Sequence, residues 1–355
     1  MSEALPPSRL AWLRFKQHRL ALVAAFVLVA LYVTAIACEF LAPYEPDQRN
    51  SRAINAPPMT LHFTNQVGDW QLRPIVYQYK LTIDPDSWMR QYKEDFTRPH
   101  AVNFFVKQDT GYRFFTVDDG GYVHLFGTDS LGRDVFSRVL YGSRVSLSIG
   151  VIGVLLTLFF GLMLGGFAGY LGGIVDNAVQ RLIEVLQSMP TLPLWMGLSA
   201  ALPAAWSPLA AYFGVTLILS FFGWTTLARQ VRGRFLSLRD EDFVVAARLT
   251  GASNTRVVLK HMVPNFMSHT ITTATLAIPA MILGETALSF LGIGLRPPVV
   301  SWGVLLQQAQ NYQVIVMTPW LLIPGLFIVV TVIAFNLLGD GLRDAADPYH
   351  TGGQS

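Results

Sequence analysis

Six stretches of the chain, about 20–41, 145–170, 182–204, 208–230, 268–293 and 319–339, are apolar over lengths that suit hydrocarbon better than water. A helix rises about 1.5 Å per residue, so runs of roughly 20 residues cross a hydrocarbon layer of about 30 Å. Backbone in that layer must satisfy its own hydrogen bonds, which makes the helix the expected form of each run. Composition agrees: 52% of the 355 residues are hydrophobic and 14% charged, against about 25% charged in soluble domains. The net charge of +3 is mild, and the basic residues lie beside apolar runs rather than in one dense patch. That distribution argues against a nucleic-acid partner and for charges that set topology in a lipid bilayer. The fold class expected is an all-α integral membrane protein of six transmembrane helices, with one exception between the first and second of them.

The first run, Leu20 to Leu41, follows Arg9, Arg14, Lys16 and Arg19 and ends near Ala35-Ile-Ala-Cys38, which looks like a lipoprotein cleavage site. Its length exceeds the roughly 7–15 residues of a signal core, so an uncleaved span is expected. The lead before it, with Trp12 and Phe15 among the cations, suits an inner membrane surface. Residues 43–124 differ: Pro43, Pro46, Pro57, Pro58, Pro74, Pro85 and Pro99 rule out long helices. Aromatic and β-branched clusters at 74–81, 102–106 and 112–117, with a turn at Asp118-Asp-Gly-Gly121, predict a small β-rich insert on the outer side. The organisation expected is 1–42 as lead and first span, 43–124 as insert, and 125–348 as a core of five further spans. Six spans from a cytoplasmic N-terminus return the C-terminus to the cytoplasm. Loop charge fits: the connection after the fourth run carries Arg229, Arg232, Arg234, Arg239, Arg248, Arg256 and Lys260, while 294–318 carries only Arg296.

The polar stretch at about 235–266 separates two apolar blocks. Helix-favouring residues from Arg239 to Leu249 end at Gly251, a left-handed cap position. Ser253 or Asn254 can cap a second helix, Thr255 to Met262 continues it, and Pro264 discourages its extension. Ala246 and Ala247 predict a smooth surface for a partner. Gly161, Gly165, Gly169 and Gly173 form a stripe along the second span, suited either to packing within the monomer or to an interface with another subunit. Asp129 or Ser130 can cap a helix whose Arg133, Asp134 and Arg138 stay in water, and Leu295 to Tyr312, with Trp302, reads as a similar short helix. Glu184 and Glu285 lie in or near apolar runs, where a charge is expensive and is expected to face a cavity or a partner. Catalytic sets are absent: no Lys follows a Gly as a P-loop needs, no G-x-S-x-G occurs, and His62, His100 and His124 lack metal-ligand spacing. The single cysteine, Cys38, excludes an internal disulfide. Neither enzyme, metal nor cofactor is expected.

Paired Ala246-Ala247, Gly251, and Val263-Pro264 have a spacing that resembles the cytoplasmic coupling loop of permeases in bacterial ABC importers. The dipeptide/oligopeptide branch of that family is matched by further stretches in the same order. These are Trp12-Leu-Arg-Phe-Lys16 with Leu41-Ala-Pro-Tyr-Glu-Pro46, Phe126 through Gly142, Gly169-Tyr-Leu-Gly-Gly173 with Asp176, Met189-Pro190, and Glu285 through Gly292. The resemblance covers about 1–46 and 125–348. It implies a type I permease in a bacterial inner membrane, with a second homologous permease subunit, two cytoplasmic ATPase subunits and a periplasmic solute-binding protein as partners. It also implies that Asp242, Ala246, Ala247, Gly251 and Pro264 serve the coupling loop, and that Asp129, Arg133, Asp134, Glu285 and Trp302 are candidates for the outer mouth or pathway. ATP hydrolysis would belong to the separate subunits. Val245 stands where the family motif has glutamate and His261 where it has an apolar residue. Peptides are the branch's usual cargo, with oligosaccharides, opines or metal chelates as alternatives. An ion-coupled transporter using Glu285 is the competing class.

Overall fold

The computed structural model describes residues 12–64, 70–83, 85, 90–108, 111–117, 120–203 and 205–346, without the side chains of 268, 269, 313 and 346. The first part of the basic lead and the Asp118-Asp119 half of the expected turn lie outside the described residues. The described residues divide into two compact units, one within Met1–Val29, Ser148–Leu288 and Val329–Ser355, the other within Ala30–Leu147 and Ser289–Ile328.

In chain order the helices are α1 (Arg19–Ile36), α2 (Val135–Leu171), α3 (Gly173–Ser188), α4 (Thr191–Ala200), α5 (Pro208–Leu238), α6 (Asp242–Leu249), α7 (Met267–Phe290), α8 (Trp302–Gln307), α9 (Tyr312–Met317) and α10 (Ile323–Ala346). Among the described residues, five stretches are long and apolar enough to cross a membrane: Arg19–Ile36, Val135–Leu171, Pro208–Leu238, Thr270–Phe290 and Pro319–Ala345. The run at 182–204 is not among them. Pro190 offers no amide donor and disfavours helical geometry at Met189, which is extended at φ −96° and ψ 140°, so the run splits into α3 and α4. Glu184 falls on α3, where it pairs with Arg181 at 2.9 Å with both side chains exposed.

In the first unit the glycine stripe of α2 packs against α5. A Cβ on Gly161 would stand 2.6 Å from the Leu227 side chain, and one on Gly169 2.7 Å from the Arg232 carbonyl oxygen. One on Gly165 would overlap the backbone of Ala228. The stripe therefore serves packing within this chain, by letting two backbones approach. Gly173 does not belong to it: its φ is +58°, nothing lies within 4 Å of a Cβ there, and it sits at the break between α2 and α3. α3 is fixed beside α5 by an ion pair of Asp176 with Arg232 and by the Gln187 amide donating to Thr225 Oγ1 at 3.1 Å.

The second unit holds an antiparallel sheet in the order β1 (His62–Thr64), β2 (Trp70–Ile83), β3 (Arg90–Gln108) and β4 (Gly111–Val117). β3 pairs with both neighbours, Ile83 facing Arg90 at one end and Val102 facing Val117 at the other. Met59, Val76, Val102, Phe115 and Val123 form its packed face, with Phe136 of α2 against them. Arg113 of β4 is 2% exposed and fastens the sheet to the end of α1. It donates to the carbonyls of Glu39 at 2.6 Å and Ala42 at 3.1 Å and pairs with Glu45.

The glycines of α2 and α5 give opposite expectations for one substitution. Gly165→Ala forces the α2 and α5 backbones apart and lowers stability by about 1–3 kcal/mol. Gly233→Ala, where nothing lies within 4 Å, raises it by about 0.5–1 kcal/mol. Thermal unfolding of the purified variants in detergent checks both, and shifts of the same sign would contradict the packing described.

Candidate functional site

Two polar regions contain the residues singled out by sequence. In the first unit, α6 presents Val244 and Ala247 to a core of Tyr170, Leu227, Val231 and Phe235. Its end is a Schellman cap: Gly251 N–H donates to Arg248 O at 2.9 Å and Ala252 N–H to Ala247 O at 3.1 Å, with Gly251 at φ +79°. Ser253 Oγ then accepts from Arg256 N–H at 3.3 Å and starts the next helical stretch. That stretch does not stop at Pro264, as the sequence suggested. It widens into a π-helical turn at Val257–Met262, tightens into a 3₁₀ turn at Val263–Phe266, and runs on into α7. Pro264 sits in the first turn of the 3₁₀ segment, where the π turn passes into it.

The two alanines separate: Ala246 is exposed, whereas Ala247 is buried in the core and does not present a surface. The open face carries Phe243, Val245, Ala246 and Leu249, the last 84% exposed, with Asp242, Arg248 and Arg256 around them. An apolar patch rimmed by charge is the usual form of a protein contact surface.

Sequence reasoning missed Tyr170. Its hydroxyl accepts from Arg248 Nε at 3.0 Å and donates to Asn254 Oδ1 at 3.1 Å, while the Arg248 guanidinium lies 4.6 Å from its ring centroid. One side chain at the end of α2 thus holds both arms of the Gly251 turn. The only signal was an aromatic beside Gly169, and its partners lie 78 and 84 residues away.

In the second unit Asp129, Arg133, Asp134 and Arg138 are 1%, 7%, 2% and 1% exposed, so the expectation that Arg133, Asp134 and Arg138 stay in water is wrong. Buried charges persist when paired and hydrogen bonded, and here they are. Asp129 accepts from Leu131 N–H and Arg133 N–H, each at 2.9 Å, and from Arg133 Nε at 2.7 Å. Arg138 Nη1 lies 3.8 Å from the same carboxylate and donates to Pro46 O at 3.2 Å. Asp134, rather than Asp129 or Ser130, caps α2: its Oδ2 accepts from Ser137 N–H at 2.7 Å and Ser137 Oγ at 2.6 Å. Its Oδ1 lies 2.9 Å from His124 Nδ1, and His124 Nε2 lies 3.2 Å from Asn50 Nδ2. An imidazole with its proton on Nδ1 satisfies both contacts. Tyr44, whose phenol burial pushes above its ordinary range, accepts from Val123 N–H at 2.9 Å beside that imidazole.

Trp302 is fully buried and acts as a wedge. Its Nε1 donates to Val139 O and its backbone N–H to Ser146 Oγ, each at 3.1 Å, which seats α8 against α2. Glu285 belongs to the first unit, is fully enclosed, and has an interaction partner within the chain. Asp129, Arg133, Asp134 and Trp302 fall in the second unit. Among the described residues no group of three or more His, Cys, Asp or Glu side chains has the geometry to hold a metal ion.

Asp129→Ala strands two buried guanidinium groups and is expected to destabilise the protein by about 3–5 kcal/mol. Thermal unfolding or proteolysis midpoints check it, and wild-type values would refute the ion pairing. Tyr170→Phe keeps the ring but removes both hydroxyl bonds, so amide hydrogen exchange across 247–256 should quicken by a factor corresponding to about 1–3 kcal/mol. Unchanged exchange there would mean that the hydroxyl does not hold the turn.

The family model for the inner membrane component of binding-protein-dependent transport systems matches residues 161–349. The N-terminal transmembrane domain of oligopeptide transport permease C matches residues 6–58. The chain is 33% identical to the dipeptide transport system permease protein DppC of Bacillus subtilis (strain 168) over 340 residues, 95% of this chain and 84% of that protein. It is 42% identical to the oligopeptide transport system permease protein OppC of Escherichia coli (strain K12) over 231 residues, 63% of this chain and 72% of that protein. A chain of the MetNI methionine ABC transporter, solved in inward-facing conformations, is more distant, at 18% identity and a TM-score of 0.45 over 60% of this chain and 97% of that one. With one family model spanning more than half the sequence and a relative aligned over nearly all of it, the chain belongs to the permease subunits of binding-protein-dependent ABC importers, in their dipeptide/oligopeptide branch.

Proposed function

We propose that this chain forms half of the translocation pathway of an ATP-driven importer for peptides or similar solutes. A second, homologous permease would supply the other half, two cytoplasmic ATPase subunits the power, and a periplasmic binding protein the solute. Family membership and the names of the relatives support peptide cargo over an ion-coupled mechanism through Glu285. The protein is read as a multi-pass component of a bacterial inner membrane. The broken pair α3–α4 would make the sixth crossing and leave both termini in the cytoplasm, in keeping with the arginines between α5 and α7. The sheet of residues 62–117 would then lie in the periplasm.

One observation carries the coupling role. α6 and the turn after it are locked to α2 and α5 on one face while Phe243, Val245, Ala246 and Leu249 stay open on the other. An ATPase seated on that open face would pull on two long helices at once. Asp242 opens the segment, where a carboxylate favours the positive end of α6, and Gly251 sets its bend. With Val245 in place of an acid, contact there would be apolar.

Gly251→Val puts a β-branched residue at φ +79°, a strain of about 1–2 kcal/mol confined to the turn. In reconstituted vesicles the variant should keep its ATPase subunits and hydrolyse ATP while losing most peptide uptake. Uptake that continues at the wild-type rate would remove the coupling assignment. A purified chain that carries peptide on an ion gradient with no ATPase attached would instead favour the competing class.

A further inference from the structure

A pocket of about 440 Å³ opens within the second unit, inside the roughly 300–1,000 Å³ range of small-ligand sites. Segments far apart in sequence build it. Val314 and Met317 come from one face of α9, and Leu321, 4% exposed, follows one turn later; together they make an apolar wall. The polar lining is the guanidinium of Arg90 at the start of β3, the amides of Asn55 and Gln308, and Ser130 and Thr318.

These groups are positioned from behind. Asn55 is held in a left-handed conformation, φ 54°, with its N–H donating to Asp129 O at 3.0 Å. The Tyr92 hydroxyl ties β3 beside it by donating to Ile54 O at 2.6 Å. Thr318 Oγ1 closes the end of α9 by donating to Val314 O at 2.6 Å. Arg90 is exposed, and among the described residues no carboxylate lies within ion-pair distance of it. A guanidinium presents a planar fork of donors that fits a carboxylate, a side-chain amide offers both donor and acceptor to a peptide group, and the wall accepts an apolar side chain.

Carboxylate, peptide group and apolar side chain in one small volume are what the C-terminal residue of a short peptide displays. We infer that this pocket binds peptides by their free C-terminal carboxylate at Arg90, with an apolar last side chain against Val314, Met317 and Leu321. The assignment rests on the peptide-permease reading above and deepens it. It also gives the insert a task, because β3 supplies the one cation of the set.

Calorimetric titration of the full chain in lipid nanodiscs, with the dipeptide Ala-Leu and its C-terminal amide as probes, tests this. Ala-Leu should bind, amidation and Arg90→Gln should each weaken binding about tenfold or more, and Arg90→Lys should restore part of it. Val314→Asp, which puts a charge in the apolar wall, should likewise weaken Ala-Leu binding about tenfold or more. Arg90 is exposed, so its substitution leaves the core intact. No binding of Ala-Leu, equal affinity for the amide, or wild-type affinity in Arg90→Gln overturns the assignment. ATP dependence of uptake by the reconstituted complex is measured separately. Uptake without ATP overturns the importer reading whatever the pocket binds, whereas ATP-dependent uptake with an Arg90→Gln chain that binds normally overturns the pocket alone.

Discussion

A polar group taken out of water must find its partner within the chain, and that requirement shapes both units of this protein. It makes the apolar runs into helices, since only a helix closes its own backbone hydrogen bonds locally. It also explains why Asp129, Arg133, Arg138 and Asp134 occur together: each would be costly to bury alone, and each is matched by another or by a backbone group. Such sets contribute little net stability over an apolar core, but they admit few alternative arrangements. Here the set fixes the start of α2 and the loop at 127–134, and Asp129 also accepts from Gln308, the residue just past α8.

Close backbone approach does comparable work in the first unit. Where α2 has glycine at 161, 165 and 169, α5 comes near enough that no side chain could intervene. α5 leads directly into the segment at 242–266, and α2 ends in Tyr170, which grips that same segment. The helices joined by glycine contact are therefore joined again at their ends, by a hydroxyl. A load on α6 would be shared between them.

Much of this was readable from the residues. Apolar length identified the helices, proline density marked off the insert, and Gly251 with Ser253 gave the bend of the segment after α6, cap for cap. What failed did so for definite reasons. Run length alone could not see that Pro190 divides an apolar stretch in two. Charge was equated with water, so the buried set at 129–138 was drawn on the surface; pairing partners such as His124 and Asn50 are remote in sequence. Ala246 and Ala247 look alike in a sequence, but only their positions around α6 decide which faces Phe235 and its neighbours. Tyr170 and Arg90 carry no local pattern, since each matters through groups brought together by folding.

The widened turn at Val257–Met262 has its own consequence. A π turn closes its hydrogen bond one residue later than an α turn, so it shifts the angular phase of everything on one side relative to the other. Burial falls on Val257, Val258 and Met262 within it and on Val263 and Phe266 beyond it, leaving His261 half-exposed and Asn265 in the open. Asn265 then uses its amide to cover the His261 carbonyl at 2.6 Å. His261, inside the turn, is carried off the core by that shift of phase, while the apolar positions on either side of it keep their burial.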